Sequence, residues 1–412
     1  MPRLIWLSMT VILLFGGAKD SERPLDRVLL RSGKEIKGHV LVDRGPELVI
    51  GNGRKRTKIE REDVSEVVSA WRAMPEYLER YLQANREGSR GWTELASWCD
   101  QVGLEREAVL AGYRALLYED NPQGVHEQLG SRKRKQTWSI PWGREWLELD
   151  EWRDREPKSW GAAPVLESSF FRLRSNDSVL GTLVLLGDLQ AGHLGWFRLF
   201  GDRIAQEHRA DLFEINLHGD RKSYKRHEDG PPAYYSFDDD RIEIDGLRPR
   251  SAHVAYHEVS HQLLAEARRQ RSSAADGVPA WIDEGLAEVL ARVLAARSGF
   301  DASKSWLMGS RHFKVLRDAE EPPRIEDLFR LTRSEFHGGD EPDVPYSYAY
   351  TLVAVAFGEE HSMRRERFFE FLNRVLDGEA GSSDLASELG ISQDELIREW
   401  HESVRPSEPQ VR

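Results

Sequence analysis

The sequence predicts an α+β chain, and three observations carry that expectation. Short apolar runs punctuated by turn residues fill the region after the N-terminus, and helical spacing takes over near Pro75. From about Pro164 strand-like and helical runs alternate, and the chain turns mainly helical after Ser251. A length of 412 residues exceeds what one core usually organises, so two or three units are expected. A hydrophobic content of 40%, with 13 Trp, can offset ordering entropy and excludes a wholly disordered chain.

Residues 1–18 read as a secretory signal peptide. Arg3 precedes an apolar run from Leu4 to Phe15, and Gly16 and Ala18 occupy the small-residue positions of a cut after Ala18. The run falls short of the roughly 20 residues that a spanning helix needs. A secreted or periplasmic protein without a stable membrane anchor is therefore expected. Residues 22–70 form a meander of about five strands, with runs at Arg27–Leu30, Ile36–Val42, Leu48–Ile50, Lys58–Ile59 and Val64–Val68. The pattern resembles the small SH3-like or Sm-like β-barrels. In residues 73–122 Leu78, Tyr81 and Leu82, then Leu95, Trp98 and Cys99, then Leu104, Val109, Leu110, Tyr113 and Leu116 recur at helical spacing. This resembles one or two tetratricopeptide-like helix pairs, closed by Asn121-Pro122. An aromatic-rich linker is expected over 123–163. The remaining unit, 164–406, has strand-like runs at Phe170–Leu173, Leu183–Leu186, Leu212–Leu217 and Ile242–Ile244.

Charge and cysteine usage exclude several function classes. Lys and Arg number 58 against 70 Asp and Glu, a formal charge of -12 that repels a phosphate backbone. The dense basic runs, Arg54–Arg56 and Arg132–Lys135, are short and read as solvated surface, so no nucleic-acid partner is expected. The single cysteine, Cys99, rules out an internal disulfide and a cysteine-rich zinc site, and its apolar helical surroundings predict burial. No nucleophile elbow, P-loop or dinucleotide-binding glycine motif occurs.

The chemistry lies in His253-Val254-Ala255-Tyr256-His257-Glu258-Val259-Ser260-His261, with Ser251 as the expected helix N-cap. On a helix His257 and His261 are one turn apart on one face, so both imidazoles can reach one metal with Glu258 beside the open position. His253 adds a further turn to the stripe. Three ligands on successive turns of a straight helix would span about 12 Å, so His253 is expected to be a neighbour. A second helical pattern, Ala280-Trp281-Ile282-Asp283-Glu284-Gly285-Leu286-Ala287-Glu288, follows His261 closely and offers a third ligand.

The pair H-E-x-x-H and W-x-x-E-G-x-A-E resembles the gluzincin clan of zinc metallopeptidases, to which thermolysin and the alanyl aminopeptidases belong. It is also similar to a family of often secreted peptidase-like proteins with the same order of barrel, helical repeat and gluzincin domain. The resemblance implies a His257, His261 and Glu284 site for Zn2+, and Glu288 as the acid that orients a histidine, His257 being the expected one. The aminopeptidase motif G-x-M-E-N is absent, so aminopeptidase specificity is not implied. Tyr346 aligns with the tyrosine that leads the helix after the zinc helices and is the expected oxyanion donor, with Tyr348 and Tyr350 as competitors. The expected function is hydrolysis of a peptide or protein substrate by a metal-activated water with Glu258 as general base. The alternative is an envelope binding or scaffold protein that keeps the fold but little activity.

Overall fold

The computed structural model describes residues 25–404 apart from 45, 53–54, 69, 156–158, 210, 221, 225–232, 237, 247–251, 272–276, 297–299, 319–323, 339–342 and 358–362. The signal-like run of residues 1–18 and the expected cap Ser251 lie outside the described residues. Among the described residues no helix is long and apolar enough to cross a membrane.

The first unit is a five-stranded antiparallel sheet of β1 (Asp26–Leu30), β2 (Glu35–Arg44), β3 (Glu47–Asn52), β4 (Lys55–Glu60) and β5 (Val64–Val68), in the order β4-β3-β2-β1-β5. Strand alternation sends Val28, Val40, Leu48, Ile50, Ile59 and Val67 to one side, where they form a small core of their own. Inside that core's wall, Asp26 accepts a 2.7 Å hydrogen bond from the Val40 amide.

Most other described elements are built around one large core running from Met74 to Val404. Helices α1 (Met74–Glu87), α2 (Ser89–Gln101) and α3 (Glu105–Leu116) bury the spaced apolar faces, Cys99 included. The expected linker carries α4 (Val125–Gln128), an antiparallel sheet of β6 (Arg132–Arg134), β7 (Thr137–Trp142) and β8 (Glu145–Glu148), and α5 (Leu149–Arg153). Trp142 and Trp152 of this segment pack edge to face at 5.9 Å and are both buried.

The central sheet follows, with β9 (Val165–Glu167), β10 (Phe171–Ser175), β11 (Phe213–His218), β12 (Ala233–Ser236) and β13 (Arg241–Asp245) in the order β12-β13-β11-β10-β9. Its three middle strands run parallel and both edges antiparallel. Phe171, Leu173, Phe213, Ile215, Leu217, Ile242 and Ile244 are buried on the side where α6 (Val179–Trp196) lies. The run Leu183–Leu186, expected as a strand, sits inside α6. A continuous apolar run does not distinguish a buried strand from a helix buried on every side. The outcome here follows from an 18-residue length and from Ser178, whose hydroxyl caps the helix by accepting from the Gly181 amide at 3.1 Å.

Helices α7 (Ala252–Arg271) and α8 (Ala280–Leu294) pack against α6 and against each other. Short helices α9 (Lys304–Met308), α10 (Arg311–Asp318), α11 (Ile325–Arg330) and α12 (Arg333–Gly338) lead to α13 (Asp343–Phe357). Then α14 (Met363–Asp377), α15 (Leu385–Leu389) and α16 (Gln393–Val404) close the core. Two glycines set how closely the site's helices approach. A Cβ on Gly192 of α6 would lie 2.6 Å from Val259 of α7, and one on Gly285 of α8 would lie 2.6 Å from the Ala349 carbonyl of α13. Neither position leaves room for a side chain.

The helical unit is joined to α7 by a buried carboxylate. Asp188 of α6 accepts a 3.0 Å hydrogen bond from the Tyr81 hydroxyl of α1 and another from Tyr256, the residue before His257. Burial raises its pKa to about 6, against the lowering effects of Tyr81, Arg114 and Tyr256. Because the folded state holds this proton more tightly than the unfolded chain, stability is greatest below the unfolded value and falls as pH rises towards 6. A gap of about two pH units corresponds to about 3 kcal/mol. Asp188→Asn removes the ionisation and is expected to gain about that much relative to the parent between pH 4 and pH 7. Urea denaturation in chelator at both pH values checks this, and a constant difference would refute it.

Candidate metal centre

Helix α7 presents His257 and His261 one turn apart, and its basic last turn (Arg268, Arg269, Arg271) complements the negative end of the helix dipole. Helix α8 crosses it with Glu284 near its start. The two histidine Nε2 atoms lie 3.1 Å apart, and Glu284 Oε2 lies 3.1 Å from that of His257 and 3.5 Å from that of His261. These three donors converge on one point, and a His253, His257 and Glu288 group is the other cluster of this kind among the described residues.

Each remote ring nitrogen faces a carboxylate, and that of His261 is hydrogen-bonded to it. His257 Nδ1 lies 3.2 Å from Glu288 Oε1, and His261 Nδ1 lies 2.6 Å from Asp283 Oδ1. Asp283 in turn accepts from Arg333 at 2.5 Å through its second oxygen. Asp283 stands in the first turn of α8, where the helix dipole favours an anion. His253 reaches Glu288 from 3.3 Å with a partly exposed side chain and takes no place in the three-donor cluster.

The electrostatics of the cluster call for added positive charge. Burial disfavours a charged His257, yet Glu284 and Glu288 outweigh it and hold its pKa up at about 10. Burial acts likewise on His261, and Asp283 and Glu284 raise it well above the ordinary histidine value. Against its own burial, Glu284 is held far below the usual carboxylate range by His261 and His257. Two protons on the imidazoles or one divalent cation between them supply the same charge.

The donor set fits a metal on geometry as well. A tetrahedral ion with nitrogen and oxygen ligands at about 2.0–2.2 Å keeps those ligands about 3.3–3.5 Å apart, close to the observed separations. Glu258 projects from the same helix without entering the cluster. It is buried, its Oε2 has no hydrogen-bond partner among the described residues, and burial raises its pKa despite the nearby histidines.

Among the three tyrosines of α13, Tyr346 is the one whose ring faces the cluster, 6.3 Å from that of His257. Burial, then Glu284 and Glu258, keep its hydroxyl protonated far above neutral pH. Tyr348 stacks on Trp400 at 4.7 Å, and Tyr350 donates to the Leu307 carbonyl at 2.7 Å.

Sequence reasoning did not anticipate four members of the surroundings: Asp283 as partner of His261, Arg333, His312 and Ser347. Asp283 left a signal, being an acid in the first turn beside Glu284. Ser347 sits beside Tyr346 in the tyrosine-led helix, whereas Arg333 and His312 come from segments with no motif.

No protein-family model, curated protein or solved structure matches the chain.

Proposed function

We propose that the chain is a zinc-dependent peptidase with the gluzincin arrangement, in which His257, His261 and Glu284 hold Zn2+. The observation that carries this reading is the convergence of His257 Nε2, His261 Nε2 and Glu284 Oε2, with each imidazole backed by its own buried carboxylate. Two histidines and one carboxylate are the donor set of catalytic zinc sites that leave a position open. When bound, the metal supplies Lewis-acid polarisation of the scissile carbonyl and acidifies a water.

The chain's own groups do the rest. Glu258 takes a proton at Oε2, the oxygen without a partner, and returns it to the leaving amine. A raised carboxylate pKa brings the base nearer the pH at which it works. Tyr346 remains a protonated donor and can hydrogen-bond the oxyanion that develops on the carbonyl. Asp283 accepts the Nδ1 proton of His261, which directs that ring's Nε2 at the cluster, and the Glu288 carboxylate faces His257 Nδ1 from 3.2 Å as an ion-pair partner.

Purification without added metal followed by elemental analysis is expected to give about one zinc per chain. A panel of quenched peptides should then be cleaved in a chelator-sensitive manner. A chain that takes up no zinc on titration refutes the reading. Zinc binding without hydrolysis of any peptide would favour the scaffold alternative.

A further inference from the structure

Glu288 is held by more than the histidine that it orients. His312, on α10 and 24 residues downstream, places Nε2 3.0 Å from Glu288 Oε2, while its Nδ1 lies 3.1 Å from the Ser347 hydroxyl of α13. The imidazole is buried, and its ring lies against Tyr350 at 4.7 Å. A carboxylate oxygen accepts, so His312 donates to Glu288 from Nε2, while its Nδ1 shares a hydrogen bond with the Ser347 hydroxyl. The contacts run from Ser347 through His312 to Glu288 Oε2, and His257 meets the other oxygen of the same carboxylate.

We infer that His312 is a positioning residue for the metal centre, acting through Glu288 on His257, with Ser347 holding its other ring nitrogen. The inference rests on the reading that a metal sits on His257. His257 lies 3.2 Å from Glu288, a long contact for a charge-assisted hydrogen bond, and a carboxylate held there alone could rotate. His253 also approaches Glu288, from 3.3 Å, but its side chain is 38% exposed against 7% for His312. A hydrogen bond excluded from water is the stronger restraint, so His312 outweighs His253. The arrangement also ties the orienting carboxylate to α13, because Ser347 adjoins Tyr346. The α8 acid and the α13 tyrosine are thereby held in register by a histidine that belongs to neither helix.

The test compares His312→Phe, which keeps an aromatic ring against Tyr350 but donates nothing, with His312→Gln, which keeps a side-chain N–H donor. Zinc affinity is read by competition with a chromogenic chelator on folded apo protein, and the Co2+ absorption spectrum reports ligand geometry. His312→Phe is expected to weaken zinc binding by about 10–100-fold and to alter the Co2+ spectrum, as losses behind metal-bound histidines do. His312→Gln should recover most of the affinity, and His253→Gln should cost less than His312→Phe. Should Phe fail to fold, as judged by thermal unfolding of the apo protein, His312→Leu gives the same comparison. Zinc affinity equal to the parent's in the Phe or Leu variant overturns the inference, because a residue that only packs would behave that way. Gln binding no better than Phe overturns it too. A parent chain that binds no zinc overturns the proposed function along with it.

Discussion

Glu258→Gln is expected to reduce peptide hydrolysis by about 10²–10⁴-fold, the usual contribution of a general base. Zinc content and thermal unfolding should be those of the parent. Glu258 is not one of the three converging donors, and the substitution keeps its volume while deleting the group that takes the proton. It also removes a buried carboxyl whose charged form burial disfavours, so no loss of stability is anticipated. Equal zinc content and unchanged chelator-sensitive hydrolysis in the variant would show that Glu258 is not the base. Turnover of one quenched peptide, measured beside zinc analysis of the same sample, separates these outcomes.

The second large effect is on the metal itself. Glu284→Ala leaves two imidazoles without the carboxylate that completes the site, and dialysed protein should retain essentially no zinc. Asp283→Asn, one residue earlier, replaces the charged acceptor behind His261, which also pairs with Arg333, by a neutral amide and is expected to weaken zinc binding by about 10–100-fold. The contrast assigns the ligand, because the two acids are adjacent in sequence but reach different atoms of the cluster. Retention of stoichiometric zinc by Glu284→Ala together with its loss from Asp283→Asn would move the ligand by one position. Circular dichroism guards against an unfolded sample, since either change disturbs a buried ion pair.

Periodicity makes much of the chain legible in the sequence. Strands alternate two by two and helices every three to four residues, so the meander of β1–β5, the α1–α3 faces and the two histidine and glutamate helices could all be read from spacing alone. The 123–163 segment was not legible in that way. Its tryptophans have no simple period, and the two that are buried, Trp142 and Trp152, pack on Tyr113 of α3. Leu183–Leu186 was misread for a different reason: α6 is enclosed on nearly every face, so it has no polar stripe to betray its period.

For the candidate site the same division holds. His257, Glu258 and His261 are set one turn apart by the helix itself, and the sequence alone determined their common face. That Glu284 meets them depends on how α7 and α8 cross. Gly192 and Gly285, whose missing side chains let α6 approach α7 and α13 approach α8 closely, seat the two helices in the core. His312, Ser347 and Arg333 were decided by tertiary structure only. Local spacing specifies which side chains share a face, whereas the partner of a buried carboxylate is whichever donor the packed core brings within about 3 Å.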